Sequence, residues 1–323
     1  QTGVDLFAVA NVKEAADIRE MGSGWPILVL GPLLAEEDQS LVDYDLIATL
    51  SCTRELERFR ALAQKNQQPV SVHLKIDTGM GRLGVWWENA LSLIEDIKRA
   101  PEIKLCGVLT HFAQPSDLVF TKEQRKRFLE VIEQAKLDRD PAFLVHADNS
   151  SSLRSLQNNT VFNAVRIGLL QFGIASPRGS LLADLQVEPV LSFHSKLAMV
   201  KELPKGTSLS YDRQYTLERD SKIGIISAGY GDAIPLHCGN RANGLIQGRS
   251  YPLVGRVTMD QTLIDLTDSK TEFELGEKVT LVGKQGDQEI LLSTLAEDAE
   301  TIPWELLCSI TKRVPRIYKT KRE

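Results

Sequence analysis

From residue 5 to residue 167, short apolar runs alternate with amphipathic stretches, and no hairpin turn signal separates them. This alternation restricts the fold more than any other feature of the chain. The candidate strands cover residues 5–10, 27–31, 46–50, 70–77, 105–111, 143–146 and 163–167, with helix-like stretches such as 12–21, 54–67, 88–98 and 122–137 between them. Successive strands not joined by hairpins run parallel, and each return across the sheet needs a crossover, usually a helix. The expected class is therefore α/β. Seven such units are one short of a closed (β/α)8 barrel, and counting alone leaves an open doubly wound sheet equally possible. After Pro189 the texture changes to strand-like runs at 192–200, 223–227, 245–247, 251–254, 261–266 and 278–282, separated by Gly-containing turns. A mostly β second domain is predicted, ending in short helices at 293–299 and 304–311 and a last strand at 316–319. The expected boundary divides the chain into 1–188 and 189–323.

Composition narrows the function classes. Among 323 residues, 38 Lys and Arg face 43 Asp and Glu, a net charge of −5 with no footprint for nucleic acid. The one basic cluster, Lys312, Arg313, Arg316, Lys319, Lys321 and Arg322, reads as a solvated tail. The longest nearly apolar stretch, 25–35, is too short to span a bilayer. Cys52, Cys106, Cys238 and Cys308 are far apart and read as free buried thiols of a cytoplasmic protein, with neither a disulfide framework nor a metal site. The chain opens almost directly on a strand without an initiator Met, so an N-terminal truncation is expected.

The most informative stretch is 73–84, His-Leu-Lys-Ile-Asp-Thr-Gly-Met-Gly-Arg-Leu-Gly. Side chains alternate along a strand, so Lys75 and Asp77 face one way, which in a barrel is the interior near the C-terminal mouth. A buried Lys must be paired or chemically altered. The glycines let the loop bend and bring Arg82 where its planar fork can grip a carboxylate or phenolate. Three further strands end in polar groups: His111, then His146 with Asn149 and Ser150, then Arg166 with Gly168. The Asn149-Ser150 turn and Gly168 offer hydroxyl and N–H donors to a phosphate. His73, His194, His237, Trp86 and Trp87 read as ordinary structural residues.

Taken in order, the chain resembles the alanine racemases, pyridoxal-phosphate enzymes of fold type III. The resemblance rests on HLKIDTGMGRLG (73–84), THF (110–112), HADNSSSLR (146–154), VRIGLLQFG (165–173), LSY (209–211), AGYGDAIP (228–235), VGRVTMDQTLIDLTD (254–268) and RVPRIY (313–318). It implies a (β/α)8 TIM-like barrel, with its first strand missing from this chain, followed by a β-rich C-terminal domain. It also implies two-base interconversion of L- and D-alanine on pyridoxal 5'-phosphate, supplying D-alanine for peptidoglycan.

The same resemblance assigns roles. Tyr211, acting from the partner subunit of a homodimer, is one base, with His111 and Arg166 linking it to the cofactor. Arg166 faces the cofactor's ring nitrogen; His146, Asn149, Ser150, Gly168, Leu169 and Trp304 bind the cofactor, with Asn149, Ser150, Gly168 and Leu169 nearest its phosphate. Arg82 and the main chain of Met259 contact substrate, and Lys75 matches a lysine that is often carbamylated. The family's Schiff-base lysine has no match here. Lys13 (Ala-Asn-Val-Lys) falls in a helix, lacks the following Tyr-Gly, and reads as a solvated residue. Trp304 stands where the family has a phosphate-reaching tyrosine, Asp212 where a glycine usually follows the catalytic tyrosine, and Asp148 and Ala233 also depart from the commonest residues. The alternatives are a racemase for serine or another amino acid, a related decarboxylase, or a catalytically dead cofactor-binding homologue. The decarboxylases place an acid at the ring nitrogen, where VRIG offers Arg166.

Overall fold

A computed structural model of the chain describes residues 3–22, 24–137, 140, 142–153, 161–174 and 185–319. It divides into two compact units; the first runs to Gly168, and the second holds Leu169 and the residues from Gln186 onward. Arg154, Lys321 and Arg322 lie outside the described residues.

The first unit contains β1 (Phe7–Val9), β2 (Ile27–Val29), β3 (Ile47–Leu50), β4 (Val70–Asp77), β5 (Ile103–Leu109), β6 (Leu144–Asn149) and β7 (Ala164–Arg166). Each pairs in parallel with the next, and a two-residue strand, Val85–Trp86, pairs with the end of β4. The sheet is a nearly closed barrel of parallel strands, and β1 and β7 are its two edges among the described residues. The covering helices are α1 (Val12–Met21), α2 (Gln39–Asp43), α3 (Thr53–Asn66), α4 (Ala90–Lys98) and α5 (Leu118–Ala135). Val72, Leu74 and Ile76 of β4 pack with Val108, Val145 and the apolar faces of α3, α4 and α5 in one buried core. The opposite residues of β4, His73 and Lys75, are buried too.

Local chemistry explains the element ends. Asn11 caps α1 by accepting from Glu14 N, while Glu14 Oε2 accepts from Ala10 N, so two otherwise orphaned donors are satisfied. Lys13 sits on that helix, its side chain 84% exposed and paired with Asp17. Asp117 caps α5 through Val119 N and Phe120 N, so this helix begins four residues before the expected 122.

The second unit is an antiparallel sheet of β8 (Phe193–Leu203), β9 (Ser221–Ile226), β10 (Asn243–Ile246), β11 (Arg249–Val254), β12 (Thr262–Asp265), β13 (Lys278–Gln285) and β14 (Gln288–Ile290). Their order is β10-β11-β12-β9-β8-β13-β14, and β10 also pairs with β13, which curls the sheet on itself. Helices α6 (Leu292–Asp298) and α7 (Pro303–Ser309) pack Leu292, Leu295 and Leu306 into its core.

Three expectations are corrected. No strand forms at 316–319: Pro315 lacks an N–H, and Arg316 folds back to donate to the carbonyls of Ile310 and Val314. The basic cluster is not simply a solvated tail, because Arg313 pairs with Asp232 at 2.8 Å and with Asp260 at 2.6 Å. The four cysteines are free, but only Cys238 is buried; Cys52 and Cys308 are exposed and Cys106 is half-buried. Among the described residues no helix is long and apolar enough to cross a membrane.

Candidate active site

At the C-terminal ends of β4, β5, β6 and β7 the barrel gathers Lys75, His111, His146 and Arg166. Arg166 is the hub. Its Nη1 donates to His146 Nδ1 at 2.9 Å and to His146 O at 3.1 Å. Its Nη2 donates to the carbonyls of Thr110 and Ala147, both at 2.8 Å, and lies 3.3 Å from His111 Nδ1. These contacts occupy the four Nη hydrogens of a guanidinium, whose fifth donor, on Nε, has no partner among the described residues. Burial lowers Arg166 to about 10, against the pull of the Asp148 carboxylate, so it stays charged at neutral pH. Asp148 is itself buried and faces Arg125 at 3.4 Å.

The histidines around this cation are neutral. Burial first, then the Arg166, Lys75 and Arg82 charges, pushes His111 down to about 4. His146 is held well below its ordinary value, again by burial first and then by Arg166. Loop 111–113 is fixed by Gln124 of α5, which donates to His111 O and accepts from Ala113 N.

Lys75 is 5% exposed, and burial, then the charges of Arg82 and Arg166, lowers it to about 8. The nearby Asp77 forms no ion pair with it among the described residues. Its Oδ1 accepts from the N–H groups of Gly79, Met80 and Gly81, and its Oδ2 from Gly81, so the carboxylate is used in closing the glycine loop. Gly84 ends that loop at φ 114, where a Cβ would lie 2.8 Å from Asp77 N, so no other residue fits there without strain. Arg127 of α5 donates to Thr78 O at 2.9 Å and lies over the rings of Trp86 and Trp87, tying the loop to the helix. Arg82 remains exposed on it, with no ion pair among the described residues.

Asn149 and Ser150 end β6. Asn149 Oδ1 accepts from Ser151 N, and its Nδ2 lies 3.4 Å from His111 Nε2. Gly168 N donates to Ser150 Oγ at 2.8 Å. That amide is thus engaged within the chain, and the Ser150 hydroxyl keeps its own proton to donate.

The remaining candidates lie in the second unit. Leu169 is buried in its core. Tyr211 is 68% exposed on the turn between two short paired strands, Ser208–Leu209 and Tyr215–Thr216. Ser210 and Asp212 on either side take φ values of 58 and 59. Arg256 carries both ends of this turn: its carbonyl accepts from Ser210 Oγ and its guanidinium pairs with Asp212. Asp212, a departure from the family pattern, therefore has its charge matched. Met259 is exposed, and its carbonyl accepts from Gly231 N. Arg313 braces the two loops that meet there, through Asp232 and Asp260. Trp304 is exposed near the start of α7.

Residues 1–176 match the family model described as the alanine racemase N-terminal domain, and residues 190–318 match the C-terminal domain. The chain belongs to the alanine racemase family. This is a family of pyridoxal-phosphate-dependent racemases. Among its relatives, the alanine racemase of Halothermothrix orenii is 35% identical over 99% of this chain and 84% of its own length. That of Thermodesulfovibrio yellowstonii is 36% identical, with the same two coverages. The crystal structure of alanine racemase from E. faecalis superposes with a TM-score of 0.87 at 32% identity, over 98% of this chain and 84% of that one. One from a D-cycloserine-producing Streptomyces lavendulae gives 0.89 at 27%, over 98% and 84%.

Sequence reasoning missed several contributors. His73 was read as ordinary core, yet its Nδ1 lies 2.9 Å from His146 Nε2. Its position two residues before Lys75 on one strand was the available signal. The carbonyls of Thr110 and Ala147 and the bracing roles of Arg127, Arg256 and Arg313 leave no pattern in the local sequence.

Proposed function

We propose that this chain is the subunit of an alanine racemase that binds pyridoxal 5'-phosphate at the barrel mouth and interconverts L- and D-alanine. The observation that carries this reading is the Arg166 guanidinium. It is pinned through both Nη groups to three carbonyls and two neutral imidazoles, with its Nε–H left over. A single strong donor that cannot give up its proton fits a pyridine nitrogen, and the Ser150 hydroxyl, whose oxygen accepts from Gly168 N while its proton is left to donate, fits a phosphate, so the residues present suit this cofactor. Leu169 and Trp304 complete the phosphate contacts in this reading, and His146 lines the ring.

Bound there, pyridoxal phosphate would draw electron density from the Cα of an amino acid and so acidify its α-hydrogen. Arg166 moderates that withdrawal, because it offers a hydrogen bond and keeps its proton; an Asp in its place would strengthen it. Tyr211 of a partner subunit moves the α-proton on one face at its phenolic oxygen. A phenol with a pKa near 10 is a poor base at neutral pH. His111 eases this: with Nδ1 accepting from Arg166, its Nε2 carries a proton that can be donated to the phenolate. The acid–base group of the opposite face, a lysine by resemblance, is assigned to no residue between 1 and 323. Arg82 and the Met259 main chain hold the substrate carboxylate. Lys75 adds to carbon dioxide: its unprotonated amine forms the C–N bond, a C=O electron pair moves to oxygen, and the nitrogen proton leaves to water. The resulting carbamate pairs with Arg82, whose charge already acts on Lys75 and which has no ion pair among the described residues. Such an enzyme works in the cytoplasm and feeds D-alanine to peptidoglycan.

The test uses the protein translated from its full reading frame. Tyr211→Phe and Arg166→Gln are each expected to lower D-alanine formation from L-alanine by at least about 100-fold. Mixed dimers of the two variants contain one intact site, so random pairing is expected to restore roughly a quarter of the activity. Full activity in Tyr211→Phe, or no recovery on mixing, refutes the shared two-base site.

A further inference from the structure

His73 lies on β4, outside the group of residues that would meet cofactor or substrate. Its register partner on β5 is Gly107. Because Gly107 has no side chain, the His73 ring crosses β5 and reaches His146 on β6; a Cβ on Gly107 would sit 2.8 Å from His73 Cε1. His73 Nδ1 and His146 Nε2 are 2.9 Å apart, and His146 Nδ1 is 2.9 Å from Arg166 Nη1. A guanidinium only donates, so His146 Nδ1 must be an acceptor and carry no proton. A neutral His146 then carries its proton on Nε2 and donates it to His73. His73 Nδ1 is in turn an acceptor, and its own proton must be on Nε2.

That last proton has no destination. His73 Nε2 is fully buried and finds no partner among the described residues. Leaving a buried donor unpaired is unfavourable, yet the arrangement is consistent with the two contacts that precede it. Reversing the tautomers would satisfy nothing more and would set an N–H of His146 against the Arg166 guanidinium. Both rings remain neutral near pH 7, since burial lowers His73 to about 4 and holds His146 well below its ordinary value.

We propose that His73 is a positioning residue for the reaction: it fixes His146 as the Nε2–H tautomer, so that Nδ1 permanently accepts from Arg166 and holds the guanidinium in its orientation. The tautomer chain follows from this chain's own contacts; its bearing on turnover rests on the cofactor reading given above.

Two substitutions separate this role from simple space filling. His73→Asn can present Oδ1 near the position of Nδ1, keeping the acceptor while losing volume. His73→Phe keeps a ring and loses the acceptor. Nitrogen-15 NMR of the histidine side chains in the protein without cofactor is expected to show Nε2–H tautomers for both His73 and His146. In His73→Asn, His146 keeps that tautomer; in His73→Phe it mixes with the Nδ1–H form. Pyridoxal-phosphate affinity and kcat for alanine are expected to fall about tenfold in His73→Phe, with KM little changed, and to recover largely in His73→Asn. A packing role gives the opposite order, with Phe active and Asn impaired, and overturns the proposal. So does an Nδ1–H tautomer of His146 in the unmodified protein. If the tautomers behave as stated but the unmodified protein neither binds pyridoxal phosphate nor racemises alanine, the cofactor reading fails while the tautomer chain stands.

Discussion

Three neutral imidazoles and two cations share a small volume at the barrel mouth, and burial is the main cause of every lowered pKa there. This has a consequence for stability. Between about pH 4 and 6.5 an unfolded histidine is protonated while buried His73 is not, so the unfolded chain binds more protons. Stability present at pH 7 is therefore lost as the pH falls from about 6.5 towards about 4. Urea unfolding is expected to show His73→Asn losing less stability between pH 7 and pH 5 than the unmodified protein, by about 1–2 kcal/mol. An equal loss in both contradicts a neutral buried His73. The second consequence concerns Lys75, lowered to about 8 among cations whose nearest carboxylate, Asp77, is committed to the loop. Incubation with carbon-13 bicarbonate is expected to give one carbamate resonance that disappears in Lys75→Ala; its absence from the unmodified protein rules the modification out.

At the level of elements, the site depends on side chains that are missing as much as on those present. Gly107 gives His73 its path across β5, with Leu144 O only 2.7 Å from where a Cβ would stand. Gly107→Ala is expected to cost about 1–3 kcal/mol by overpacking and to mix the His146 tautomer, as His73→Phe does. Unchanged thermal unfolding together with an unchanged tautomer contradicts this. Nothing near Gly107 in the sequence announces such a role, because its neighbours in space come from strands 34 and 37 residues away. The strands themselves were legible: β4 spans the expected residues 70–77, a nearly continuous buried run between its two ends. The start of α5 was not, because Asp117 caps a first turn whose Leu118 and Val119 are exposed and give no amphipathic signal.

Across the whole molecule, the chain order of the motifs carried the family, while the contacts that hold the motifs in place are long-range. Arg313 looked like part of a charged tail, since its partners Asp232 and Asp260 are 81 and 53 residues away. Arg256 neutralises Asp212 over 44 residues in the same way. Each unit is thus built so that short, ordinary pieces become a site only through the fold. In the barrel the product of that assembly is one guanidinium with a single donor left over, which the proposed function directs at the cofactor's ring nitrogen. Nitrogen-15 NMR of labelled pyridoxal phosphate bound to the protein from its full reading frame tests this most directly. The predicted result is an unprotonated, hydrogen-bonded ring nitrogen whose resonance shifts in Arg166→Gln. A protonated pyridinium, or a resonance indifferent to Arg166, would contradict it.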